Sequence, residues 1–331
     1  MSTPNLNIAT APFVHKGLST NRIMFEVVLA LLPVFGAAVY YFGISAIVVV
    51  LGATAGAVIS EWFFDAKRKS GSPGSLLDGS AILTGVLLGL SLPPATPLWI
   101  ALLGGSVGII LGKVVWGGLG QNLFNPALVG RAFLQASFPV VTTTWTAPRQ
   151  GFFHFEPSTF AAPLMRAPVD VISSATPLGI AKFEHKVSAL SDLLVGNTAG
   201  SLGETSGIVL ITVGVILGAR RIFDWRLPVS TVLTVAVCSG ILHLFDASLP
   251  NPLFMVFSGG LLYGAVFMVT DPVTTPVTPK GAWIFGAGVG FLVVLIRIFG
   301  GLAEGVMFSI LLMNAMTPLI NRYTQPRRFG G

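Results

Sequence analysis

The chain has 331 residues, of which 53% are hydrophobic and 10% charged, with a formal charge of +6 and a mean hydropathy of +0.82. Soluble domains carry about 25% charged residues, so this chain lacks the polar surface of a cytosolic enzyme, a disordered protein or a nucleic-acid binder. One cysteine, Cys238, excludes an internal disulfide and any four-thiolate cluster within the chain.

Residues 1–22 are polar, and the apolar run that follows exceeds a signal-peptide core, so no cleavable leader is expected. At about 20 residues per crossing, the apolar runs predict an all-α, polytopic membrane protein of about ten transmembrane helices. The first five fall at 23–41, 43–59, 76–92, 98–116 and 123–140. A long connection over 141–205 separates them from 206–219, 227–245, 252–270, 282–298 and 301–320, with 321–331 as a tail. Lys67, Arg68, Lys69, Lys113, Arg220, Arg221, Arg226, Lys280, Arg322, Arg327 and Arg328 all fall on one side of this scheme, while the short connections 93–97 and 246–251 hold no Lys or Arg. The positive-inside rule then places both termini in the cytoplasm and 141–205 outside. Trp62, Trp99, Trp116, Trp225 and Trp283 lie near the span ends, as interfacial aromatics should.

The chain also repeats itself. The segment 82–97, ILTGVLLGLSLPPATP, aligns without gaps on 261–276, LLYGAVFMVTDPVTTP, so that Gly85 meets Gly264, Pro93 meets Pro272 and Thr96 meets Thr275. Five spans per half predict two inverted repeats, 23–140 and 206–320, each with a Pro-broken helix of the kind that brings polar backbone to the membrane midplane.

Most familiar site patterns are missing. His15, His154, His185 and His243 have no ligand spacing, no metal site is expected, and the glycines at 104–105 and 286–290 read as close helix packing. Glu26, Lys113 and Arg297 sit near span ends, where snorkelling to the interface accounts for them. Charges at membrane depth are costly and point to function. Asp78, Arg131, Asp271 and Glu304 are the candidates, with Asp78 and Asp271 beside the two broken helices as ion-coupling residues. Arg131 ends the polar stretch GQNLFNPALVGRAF, whose Asn122 and Asn125 complete a candidate site for an anionic or polar cofactor or substrate.

The outer connection contains DVISSATPLG. Its Asp170-x-x-Ser173-x-Ala175-Thr176 pattern resembles the flavinylation motif of the D subunit of the Rnf electron-transport complex and of its homologue, the B subunit of the sodium-pumping NADH:quinone reductase. The segments 19–33, 77–80, 125–133 and 270–272 resemble the same family, so the likeness covers almost the whole chain. The short N-terminus favours the Rnf member of the family, and Ser174 stands where the family often has Gly.

The resemblance implies that Thr176 carries FMN through a phosphoester, attached by a flavin transferase, with Asp170, Ser173 and Ala175 forming the recognition motif. It implies a noncovalent riboflavin as well, for which Asn122, Asn125 and Arg131 are the candidate site. The implied partners are Rnf subunits that hold iron–sulfur clusters and other flavins, in a bacterial inner membrane, coupling ferredoxin–NAD exchange to Na⁺ or H⁺ movement. There would be no complete active site in this chain alone. A channel or transporter for a small solute is the alternative that inverted repeats also allow, with Asn122, Asn125, Thr274 and Thr275 lining its path.

Overall fold

The computed structural model describes residues 19–67, 78–148, 156–163, 175–184 and 186–325, and among these every regular element is helical. Helix α1 (Thr20–Phe42) starts at Ser19, whose hydroxyl accepts the Arg22 N–H, and α2 (Ile44–Lys67) follows at once. The reversal needs Gly43 at φ 67°, a left-handed backbone that side chains disfavour. Helices α3 (Ser80–Ser91) and α4 (Leu98–Ile109) come next, the latter continuing through a π turn at Ile110–Val114, then α5 (Pro126–Ser137) and α6 (Pro139–Thr143). The connection contributes α7 (Pro177–Phe183), α8 (Leu190–Val195) and a 3₁₀ turn at Leu202–Glu204. The second half holds α9 (Gly207–Ala219), α10 (Arg226–Phe245), α11 (Pro252–Phe257), α12 (Leu261–Tyr263) with a π turn at Gly264–Met268, α13 (Pro279–Phe299) and α14 (Val306–Thr324).

Helices α1, α2, α10 and α13 are long and apolar enough to cross a membrane. The third, fifth, sixth and eighth expected spans are shorter or interrupted. With 12 residues, α3 rises about 18 Å against a hydrocarbon core of about 30 Å. The eighth breaks at Ser258-Gly259-Gly260, where Gly259 adopts φ 62°, and the fifth stops at Phe138 before Pro139.

Packing follows the internal repeat. In the first half α2 lies along α4, and in the second α10 lies along α13. Both contacts use the glycines expected to pack closely. A Cβ at Gly105 would collide with the Ala53 carbonyl, and one at Gly286 would collide with the Ser230 side chain. Between the halves, α1 meets α9 and α5 meets α14, while the Tyr263 hydroxyl of α12 donates to the Leu87 carbonyl of α3 at 3.0 Å. The two aligned threonines each close a turn: Thr96 Oγ1 donates to the Pro93 carbonyl three residues back and Thr275 Oγ1 to the Asp271 carbonyl four residues back, both at 2.8 Å. Each broken helix therefore ends in a hydroxyl-closed turn, and the two helices meet at the contact between the halves.

Candidate functional site

Two cavities flank that contact. The smaller one, about 50 Å³, is lined by Ser80, Thr84, Lys113, Asn122, Asn125, Thr270 and Asp271 among apolar residues of α1, α3 and α9. Asn122 and Asn125 both have local work. Asn125 caps α5, its Oδ1 accepting from the N–H groups of Ala127 at 3.0 Å and Leu128 at 3.4 Å, with Pro126 in the first turn. Asn122 accepts the Gly120 N–H and donates to the Phe124 carbonyl, both at 3.3 Å. Asp271 accepts the Val273 N–H at 3.1 Å and the Thr274 hydroxyl at 3.2 Å. Asp78 accepts the Ser80 N–H at 2.7 Å and reaches this cavity through Lys113, whose ammonium lies 3.5 Å from its Oδ2.

The snorkelling expected of Lys113 and Arg297 is not what the structure shows. Lys113 is 2% exposed and joins Glu61, Ser80 and Asp78. Arg297 is 4% exposed and donates to the carbonyls of Met255 at 2.6 Å and Ser258 at 3.1 Å and to Glu304 at 3.1 Å. Glu26 pairs with Arg22 at 2.8 Å and Arg220 at 3.2 Å, and Arg220 follows α9 directly. A buried charge is stable only when paired and hydrogen-bonded, and the helix ends that suggested access to water are covered by neighbouring elements. Trp62, Trp116, Trp225 and Trp283, by contrast, are exposed at helix ends as expected.

The larger of the two cavities, about 120 Å³, is where Thr176 lies. Its wall includes Arg131 and Gln135 of α5, Thr142, Thr143 and Trp145, Thr176, Glu204 and Glu304. Thr176 caps α7, its Oγ1 accepting the Gly179 N–H at 3.1 Å. That helix is anchored twice. Leu178 and Ala181 pack on Leu193 and Phe254, and the Lys182 ammonium donates to the carbonyls of Arg297 at 2.9 Å, Gly300 at 2.5 Å and Leu302 at 2.8 Å at the end of α13. Burial lowers the proton affinity of Lys182. Arg131 makes no hydrogen bond or ion pair with the described residues, so its guanidinium is available in the cavity that Thr176 shares. Glu204 lies in the connection before α9, where burial and then the Glu304 carboxylate push its pKa up to about 7, against the pull of Arg131 and Arg297.

Arg131 and Thr176, 45 residues apart in sequence, thus face one space, while Asn122 and Asn125 face another; the polar stretch over 122–133 divides between two cavities. Ala175 lies next to Thr176 and is exposed. Asp170 and Ser173 lie outside the described residues. Glu204, Lys182 and Trp145 carry no signal in the sequence that marks them for a site. Glu204 is a lone acid before an apolar run, and only the fold sets it beside Glu304.

Fold and site together define an all-α polytopic membrane protein in which several ionisable groups are paired around broken helices and whose connection places a threonine hydroxyl in a cavity with Arg131, Glu204 and Glu304. The chain belongs to the NQR2, RnfD, RnfE family, whose model matches residues 7–330. It is 40% identical to the D subunit of the proton-translocating ferredoxin:NAD(+) oxidoreductase complex of Clostridium ljungdahlii, over 98% of this chain and 96% of that protein. It is also similar to the D subunits of the ion-translocating oxidoreductase complexes of Actinobacillus succinogenes, at 38% identity over 98% and 97%, and of Yersinia enterocolitica, at 39% over 98% and 98%.

Proposed function

We propose that this chain is the D-type membrane subunit of an ion-translocating oxidoreductase complex and that it carries FMN as a phosphoester on Thr176. Family membership over nearly the whole chain supports the first half. The observation that carries the second is the pairing of Thr176 with an uncommitted Arg131 in one cavity. A guanidinium binds phosphate oxygens through parallel N–H donors, and about 120 Å³ accommodates a phosphate and the start of a ribityl chain. Esterification leaves the Thr176 oxygen able to keep its bond from Gly179, so modification need not unwind α7. When bound, the isoalloxazine supplies the redox chemistry. The residues of the chain hold its phosphate, fix the loop through Lys182 and set the local charge.

In this reading 23–140 and 206–320 are inverted membrane repeats, 141–205 faces the outside, where a flavin transferase acts on it, and electrons pass among partner subunits holding iron–sulfur clusters and flavins. The cavity of about 50 Å³, lined in part by Asp271 and by the Lys113 that meets Asp78, suits an ion or water path in which Asp78 and Asp271 take part. A solute channel would give the Thr176 motif no purpose, and family membership favours the redox protein.

The test is covalent flavin itself. Co-expressed with its flavin transferase, the chain is expected to fluoresce after denaturing electrophoresis and to carry the mass of FMN. Thr176→Ala should abolish both with the protein still present in the membrane, and Thr176→Ser should keep part of the label. FMN mapped to another residue in Thr176→Ala would show that the hydroxyl is wrongly assigned. An unlabelled wild-type chain would sink the flavin reading.

A further inference from the structure

Two carboxylates converge on the Gly259–Gly260 turn at the wall of the Thr176 cavity. Glu304, from the connection between α13 and α14, accepts the Gly260 N–H at 2.9 Å and the Arg297 guanidinium at 3.1 Å. Glu204 approaches the same turn from before α9: a Cβ at Gly260 would lie 2.7 Å from its Oε1, while one at Gly259 would collide with Glu304 Oε2. Only glycine leaves room for both acids. Arg297 is committed to Glu304 and to two carbonyls, so among the described residues no cation contacts Glu204. The charged and titratable groups that face it are Glu304, Arg131, Arg297 and Tyr263. Where two carboxylates share a site and one holds the cation, the other is the one whose affinity for a proton rises.

We propose that Glu204 is the proton-exchanging group of this cavity, binding a proton when negative charge arrives at a flavin esterified to Thr176 and releasing it when that charge leaves. The inference rests on the flavin reading above. The balance is one for one. An electron enters from an iron–sulfur or flavin centre of a partner subunit, a solvent proton joins the Glu204 carboxylate, and both depart in the next transfer, so the net charge of the cavity is conserved. Arg131 remains paired with phosphate throughout, and Glu304 remains on Arg297. The balance of forces on Glu204 sets its proton affinity near neutrality, where such exchange requires no strong acid or base. Coupling of this kind is reciprocal: charge that favours the proton implies a proton that favours the charge.

Redox titration of the assembled complex tests this, after mass spectrometry has confirmed FMN on Thr176. With wild-type protein the midpoint potential of the covalent flavin should fall with rising pH from about pH 7 more steeply than in Glu204→Gln. The infrared difference spectrum between reduced and oxidised complex should contain a carboxylic-acid band that Glu204→Gln removes and Asp78→Asn retains. If Glu204→Gln does not assemble, Glu204→Asp should keep the slope and shift its onset. Flavin present with parallel pH profiles in wild type and Glu204→Gln, or with an unshifted onset in Glu204→Asp, overturns the proton role and leaves the flavin assignment standing. No FMN on the wild-type chain overturns both.

Discussion

Several charges among the described helices are organised in small groups. Lys113 joins Glu61 and Asp78, Arg297 joins Glu304, and Glu26 joins two arginines. Asp271 instead has only neutral donors, the Val273 N–H and the Thr274 hydroxyl. Asp78→Asn and Asp271→Asn are nearly isosteric. The carbonyl oxygen of each Asn can still accept the backbone N–H that its carboxylate accepts now, and Lys113 keeps Glu61 when Asp78 loses its charge, so the expected loss of stability is about 1 kcal/mol, typical of a single hydrogen bond. What changes is the charge beside the smaller cavity. Both variants are expected to assemble with full flavin content and to lower ion transport per electron several-fold, measured in proteoliposomes. Transport at the wild-type ratio would return both carboxylates to a structural role.

At the scale of the helices, close approach at glycine replaces the hydrophobic drive that lipid cannot supply. Helix α13 touches α10 through Gly286, where an added Cβ would meet Ser230 Oγ and the Leu227 carbonyl, and through Gly290 against the Thr231 carbonyl. Backbone stands in the way, so rotamer changes cannot relieve the clash. Gly286→Leu should therefore separate the two helices at a cost of about 1–3 kcal/mol or more, read as a lower melting temperature of the purified complex. Gly301→Ala, where nothing lies within 4 Å of the new atom, should leave the melting temperature unchanged. The same glycines are recognisable in the sequence as packing positions, because small residues inside apolar runs have few other uses. Which helices they join is not recognisable there, since that depends on how the spans fold back.

Across the whole molecule, the distribution of lysine and arginine predicts that the Thr176 connection and the α2–α3 connection face opposite sides of the membrane. In a Cys238→Ala background, Gly151→Cys should react with an impermeant thiol reagent from outside intact cells, and Ser70→Cys only after the membrane is opened. Labelling of both from one side would refute the inverted-repeat arrangement and the external position of Thr176. The structure adds a reason for the two halves to act together. Tyr263 donates to Leu87 across them, the Leu202 N–H donates to the Leu92 carbonyl, and Lys182 ties α7 to the end of α13.

Composition and periodicity by themselves determined the all-α membrane class, the order of the apolar helices and the repeat around the Pro/Thr turns, and one short motif singled out Thr176. These are local properties, written in runs of apolar side chains and in a few neighbouring residues. The tertiary structure decided what depends on distance through space. It showed that α3 and the segment around α12 are too short or too broken to span alone, because Gly259 and the two proline turns interrupt them. It showed that Lys113 and Arg297 are buried in ion pairs, because neighbouring helices cover the ends from which they would have snorkelled. It separated Asn122 and Asn125 from Arg131, since the start and the middle of α5 line different cavities. And it set Glu204 against Glu304, a pairing across 100 residues that no pattern along the chain could announce.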